Sequence, residues 1–269
     1  MFTDNTYKLM LSPNALKIIA VICMVLDHSI LVFGPEMFQS TYYQFIPGLL
    51  HCVGRISAPI FFYFIPQGYM YTKNANLYTL RLLLFAILSY IPYMAYRFNL
   101  IFDYKHLHCQ NILFTLFFGL IFIRIIHEVK NKVLKTFFLV AVGFFISFCE
   151  YGLYGAAYIF VFNYYKNQHD KKACIAGIVG ILLVYLHRYI NFTKYTFSNI
   201  FNSFFSSENL MSILQSLFLF IPIFLISRCD YTLCKKPSKF LKWFFYLFYP
   251  AHILLLLLFR IYIIGIPLR

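Results

Sequence analysis

Apolar runs of membrane-crossing length recur along this chain between residues 15 and 264, separated only by short polar patches. A backbone in hydrocarbon has to satisfy its own hydrogen bonds, so runs of this kind fold as helices that pack on one another. The pattern predicts an all-α, polytopic integral membrane bundle of about nine helices, with eight to ten as the range. The spans are placed at 15–33, 49–71, 77–96, 112–126, 133–149, 152–165, 173–190, 210–227 and 240–264, in one domain after a polar segment at 1–14. Composition agrees: 61% of residues are hydrophobic, 12% are charged, and mean hydropathy is +0.72. The runs at 112–126 and 152–165 are short of the ~20 residues of a full crossing, which suggests tilted, interior or re-entrant helices. Pro59 and Pro66 are expected to kink the second span, and Pro250 to divide the ninth into a broken helix or two short segments.

In a soluble protein the net charge of +14 would raise the question of nucleic acid. Here its distribution has a simpler cause, because basic residues collect in loops on one side of a bilayer. With the N-terminus in the cytoplasm, fourteen Lys and Arg residues fall in inner loops, and five (Arg97, Lys105, Arg188, Lys194, Arg269) fall outside. The first span has no small-residue cleavage site after it and is expected to remain uncleaved. The cluster Lys235, Lys236, Lys239 and Lys242 is expected to set topology and attract anionic lipid. Seven cysteines without a CxxC pair suit apolar packing rather than a disulfide framework. The polar and aromatic stretch 191–209 is expected on the outer face.

Against this background, Leu16 to His28 (LKIIAVICMVLDH) is unusual in carrying Lys17, Asp27 and His28 within the first span. An ionisable group at the centre of a bilayer costs on the order of 2.5–3.5 kcal/mol, so three of them point to a polar interior. Lys17 and His28 are eleven residues apart and return to nearly the same helix face, roughly 16 Å apart along the axis. Asp27, His28, Arg55, Asn111, Thr115 and Glu150 all fall in the outer half, while Lys17 lies near the inner surface. Neighbours on a helix point about 100° apart, so Asp27 is not expected to orient His28. Asp27 is expected to pair with Arg55 or another base on a facing helix, leaving His28 to titrate near neutrality as an acid–base group. Plainer roles are available: a structural ion pair for Asp27 and Arg55, snorkelling for Lys17, solvation for Glu150, and a hydrogen-bonded core position for His252. The run HLHC at His106 to Cys109 is a weak pattern for metal, and no metal is expected.

The chain resembles the TraX family, membrane proteins named for the acetylase that modifies the amino terminus of F-type conjugative pilin. The resemblance is carried by LKIIAVICMVLDH, by GRISAPIFFYFIPQGYMYTKN at Gly54 to Asn74, and by RLLLFAILSYIPY at Arg81 to Tyr93. It continues in QNILFTLFFGL at Gln110 to Leu120, EYGLYGAAYIF at Glu150 to Phe160 and, less specifically, FYPAHILLLL. It implies acyl transfer from acetyl-CoA in a bacterial cytoplasmic membrane. Asp27, His28, Arg55, Asn111, Thr115 and Glu150 then occupy the family's motif positions. Glu150 stands where the family usually has Asp, and Ala58 where it usually has Phe. Lys17 and His28 are also similar to the basic-x10-His pattern of the wider membrane-bound acyltransferase group, where the base is commonly Arg.

The resulting expectation is an acetyltransferase acting on an amine or hydroxyl at the outer face, in a pilin-like protein, a glycan or a lipid. His28 serves as general base or transient acyl carrier, with Asp27 and Arg55 beside it. Lys17 attracts the CoA phosphates, and Asn111 and Thr115 assist in holding the donor or its oxyanion, with Glu150 and His252 as further candidates. A small transporter or flippase and a non-catalytic scaffold are the alternatives. The acceptor and the oligomeric state are open at this stage.

Overall fold

A computed structural model describes residues 10–33, 41–98, 111–164, 172, 175–180, 214–215, 217–233 and 239–265. The main helices are α1 (Pro13–Phe33), α2 (Thr41–Gly54), α3 (Ser57–Tyr71), α4 (Ala75–Leu88), α5 (Tyr90–Phe98), α6 (Ile112–Glu128), α7 (Lys132–Ile146), α8 (Gly152–Tyr164), α9 (Phe220–Ser227) and α10 (Lys239–Phe259). A π-helical turn, Arg260–Ile264, extends α10 and ends at Gly265, whose φ of 76° suits glycine. Among the described residues the regular elements are all helical, as the all-α expectation has it. Four helical stretches are long and apolar enough to cross a bilayer: Pro13–Ile30, Ile46–Tyr71, Ala75–Phe98 and Phe240–Ile264. The HLHC run, the stretch 191–209, Lys235, Lys236, most of the span expected at 173–190 and the start of the one expected at 210–227 lie outside the described residues.

Local chemistry sets the helix ends. Asn74, Asn111 and Asn131 cap α4, α6 and α7, their side-chain oxygens accepting from Leu77 N, Leu113 N and Val133 N at 2.9, 3.0 and 2.9 Å. The stretch Ile46–Tyr71 breaks at Arg55–Ile56, ahead of Pro59. Pro59 falls in the first turn of α3, where a missing N–H costs little, and Pro66 is held inside the helix. The stretch Ala75–Phe98 breaks at Ser89, whose hydroxyl donates to Phe85 O at 2.6 Å. The expected division at Pro250 does not occur, and α10 runs through it.

Helix α1 packs against α2, α3 and α10, and α10 also packs against α4 and α5. Helix α6 packs against α3, α4, α7 and α8. At one end of the bundle, Arg124 grips Glu128 through Nε and Nη2, both at 2.9 Å, and donates to Thr79 at 3.2 Å. Tyr69 also reaches Glu128, at 3.2 Å, and Leu11, before α1, forms an isolated parallel bridge with Cys229, just after α9. At the opposite end, Asn111 Nδ2 donates to Ala86 O at 3.0 Å, and the Tyr96 hydroxyl donates to the main-chain oxygen of His28. With α2–α3 and α4–α5 each taken as one interrupted stretch, the chain from α1 to α8 runs alternately between the two ends.

Candidate functional site

The first and last helices face each other across a cavity of about 600 Å³ closed by α3, α4 and α6. On α1 it is lined by Asn14, Lys17, Val21 and Met24, one stripe at helical spacing that reaches His28 a turn later. On α10 it is lined by Lys242, Phe245, Tyr246 and Tyr249, and the next turn carries His252. The cavity thus ends one turn short of both histidines. Three cations from three helices, Lys17, Arg81 and Lys242, line its other part. The Lys17 ammonium lies 4.5 Å from the centre of the Phe64 ring and 5.3 Å from that of Phe245, and the Arg81 guanidinium lies 5.8 Å from Trp243. Gln67 of α3 also lines the space. It is 3% exposed, and its Nε2 has no hydrogen-bond partner among the described residues.

Beyond the cavity, His28 Nδ1 lies 2.8 Å from His252 Nε2. The two rings are nearly coplanar and meet edge to edge, with centres 5.1 Å apart and planes within 5°. Phe248 lies parallel to His252 at 4.9 Å, and Tyr249 and Tyr96 approach His28 at 6.4 and 5.8 Å. His252 is buried, and its Nδ1 lies 2.9 Å from the Phe248 carbonyl. The sequence brought His28 and His252 forward separately. Their contact depends on the register between α1 and α10, which composition and spacing do not encode.

Asp27 binds His51 Nδ1 through Oδ1 at 2.5 Å, so of the expected partners, Arg55 or another base on a facing helix, it is the second that the structure shows. His51 precedes Arg55 by one turn on the same span, and the sequence alone did not single it out. Gly54 makes the contact possible, because any Cβ there would collide with the Asp27 carboxylate. Arg55 remains within electrostatic range of Asp27, Tyr151 and Glu150, and its Nε has no hydrogen-bond partner among the described residues. Arg97, expected in a loop, is the guanidinium whose field reaches His28.

The structure gives Asn111 and Thr115 well-defined architectural bonds. Asn111 caps α6 with its oxygen and uses its amide on Ala86 O, while the Thr115 hydroxyl donates to Glu150 O. Both are fully buried, and together they tie α4, α6 and the α7–α8 turn into one junction. Glu150 lies in that turn, followed by Tyr151 and Gly152 with φ of 65° and 44°, a reversal that suits glycine at the second position. Burial pushes its carboxyl up to about 7, against the opposing pull of Arg97 and Arg55.

Comparison with known proteins adds kinship to this geometry. The chain is 27% identical over 263 residues to "Probable fimbrial assembly protein FimC, serogroup H1" of Dichelobacter nodosus, a match covering 91% of this chain and 94% of that protein. No solved structure matches it. The TraX protein family model matches residues 12–260, from the entry of α1 to the end of α10 and so across every helix that builds the cavity and the histidine pair, and the chain belongs to the TraX family.

Proposed function

We propose that this protein is an integral membrane acyltransferase that moves acetyl from acetyl-CoA to an amine or hydroxyl at the opposite face of the membrane. The observation that carries this reading is the cavity: cationic where Lys17, Arg81 and Lys242 gather, apolar along its length, and ending a turn below His28. A CoA thioester has the matching layout, with phosphates at one end, a chain with amide groups between, and the reactive carbon at the other. Lys17, Arg81 and Lys242 hold the phosphates, and the idle N–H of Gln67 meets an amide oxygen of the chain. With this end in the cytoplasm, the donor enters from the compartment that supplies it.

The transfer then needs one proton carrier. His28 takes the proton from the acceptor N–H or O–H as that atom attacks the thioester carbon. As the tetrahedral adduct collapses, the C–S bond breaks and the proton passes from His28 to the departing thiolate. The acceptor gains an acetyl group, CoA leaves as the thiol, and His28 is regenerated. Asp27 and His51 fix α1 against α2 beside the reacting centre, and Arg97 and Arg55 supply positive potential for the developing oxyanion. The fimbrial name of the Dichelobacter relative supports a protein of the cell envelope, a pilus subunit among them, as acceptor.

The test is thermal stabilisation of the purified protein by acetyl-CoA, with desulfo-CoA and free acetate as controls, together with envelope mass spectrometry for acetylated products. Stabilisation by the CoA compounds and not by acetate, with acetylation lost in His28→Ala, is the expected result. No stabilisation by acetyl-CoA, or full acetylation by His28→Ala, overturns the proposal and leaves a transporter or a scaffold.

A further inference from the structure

A neutral imidazole has one N–H and one lone pair, so a hydrogen bond between two such rings needs one of each. The contacts of His252 decide which is which. Its Nδ1 lies 2.9 Å from the Phe248 carbonyl oxygen, which can only accept, so Nδ1 carries the hydrogen. Nε2 of His252 is then the lone-pair nitrogen. His28 Nδ1, 2.8 Å away, has to be the donor, and this leaves Nε2 of His28 unprotonated. We propose that His252 is a positioning residue that locks His28 in its Nδ1–H tautomer and so presents Nε2 as the base. The role in turnover rests on the acyltransferase reading, whereas the tautomer does not.

The surroundings explain why an imidazole does this work. A base histidine is commonly oriented by a carboxylate on its other nitrogen. Asp27 is the carboxylate nearest in sequence, but it points to another face of α1 and is bound to His51. His252 supplies an acceptor without adding a second anion to an apolar interior, where an unpaired charge is costly. The ring has little freedom to turn away. Phe248 lies parallel to it with planes within 8°, His28 meets its Nε2 edge in nearly the same plane, and the Phe248 carbonyl holds the Nδ1 edge. On the opposite helix, the Tyr96 hydroxyl binds the main-chain oxygen of His28 and holds α1 at this level. When His28 gains the acceptor's proton at Nε2, the cation still donates from Nδ1 to the neutral His252, so the pair needs no rearrangement.

The experiment is nitrogen NMR of the full-length, histidine-labelled protein, comparing wild type with His252→Gln, which keeps an oxygen acceptor, and His252→Phe, which keeps a stacking ring and loses the lone pair. His28 is assigned from the signals missing in His28→Ala. The expected spectra show one Nδ1–H tautomer for His28 in wild type and in His252→Gln, and a mixture in His252→Phe. In membrane vesicles given radiolabelled acetyl-CoA, label transfer falls by about 100-fold in His252→Phe and recovers to within several-fold of wild type in His252→Gln, with stabilisation by acetyl-CoA unchanged in both. An Nε2–H tautomer in wild type, or an unaltered Nδ1–H tautomer in His252→Phe, overturns the inference. The wild-type spectrum alone decides the first of these if a variant fails to fold. Failure of the enzymatic reading shows separately, as absent stabilisation of the wild type by acetyl-CoA whatever the tautomer.

Discussion

A buried side-chain amide with an idle N–H burdens a fold unless a ligand uses it. Gln67 is in that position, and leaving such a donor unmade costs about 1–3 kcal/mol. Gln67→Leu should therefore raise the melting temperature of the ligand-free protein while shrinking the further rise produced by acetyl-CoA. A change of the same sign in both would show that the amide serves the fold alone. Glu150 gives a second test, by pH. Its carboxyl titrates near 7 in the folded chain, raised by burial from about 4.5, so the folded state holds the proton more tightly than the unfolded one. Stability is then undiminished below about 4.5, falls as pH rises towards 7, and levels off above it. Melting curves of Glu150→Gln should lack that fall; an identical pH profile would remove the assignment. Lys17 and His28 were legible because a spacing of eleven on one helix needs no knowledge of any other. His51, Gln67 and the partner of His28 were not, because each owes its role to a neighbouring helix whose depth and rotation are set by packing.

The same division holds for elements. Helix termini at Asn74, Asn111 and Asn131 follow from side chains next to them in sequence. The break at Arg55–Ile56 falls one turn before Pro59, which has no N–H for the Arg55 carbonyl, so the expected interruption of this span is found there. Pro250 is carried within α10, which packs against α1, α4 and α5, and the expected division there is absent. Helix α7 is expected to be an outer element of the bundle that faces lipid. It packs against α6 and α8, and Val133, Phe137, Val140 and Phe144 are exposed along one face, 61–78% each. In water this face would be a large apolar patch, and against lipid it needs no cover. Val140→Lys, in the middle of that face, should cost about 2.5–3.5 kcal/mol of insertion and sharply reduce recovery of folded protein from membranes. Val133→Lys, in the first turn, should be tolerated because a lysine there reaches the headgroups. Equal recovery of the two would mean that α7 does not face lipid.

At the scale of the molecule, everything proposed for the cavity depends on which end meets the cytoplasm. The structure joins the α3–α4 connection, the end of α6 and the start of α7 at the end near Lys17, and puts the α7–α8 turn with the histidine pair at the other. The sequence count of fourteen basic residues expected in inner loops against five outside leads to the expectation that the Lys17 end is inside. That orientation is also what the chemistry requires, because CoA esters are made in the cytoplasm and the cationic part of the cavity lies at that end. The two arguments share Arg81 and Lys242 and differ in the rest, one resting on the remaining loop residues and the other on Lys17 and the cavity. A single labelling experiment tests both. In a chain whose native cysteines have been replaced, Lys73→Cys and Ser147→Cys place exposed thiols at opposite ends of the bundle. A membrane-impermeant maleimide added to intact cells or spheroplasts should modify the cysteine at 147 and spare the one at 73 until the membrane is opened. The reverse pattern would put the mouth of the cavity on the side without CoA, and transfer across the bilayer from a cytoplasmic donor would have no route through this protein.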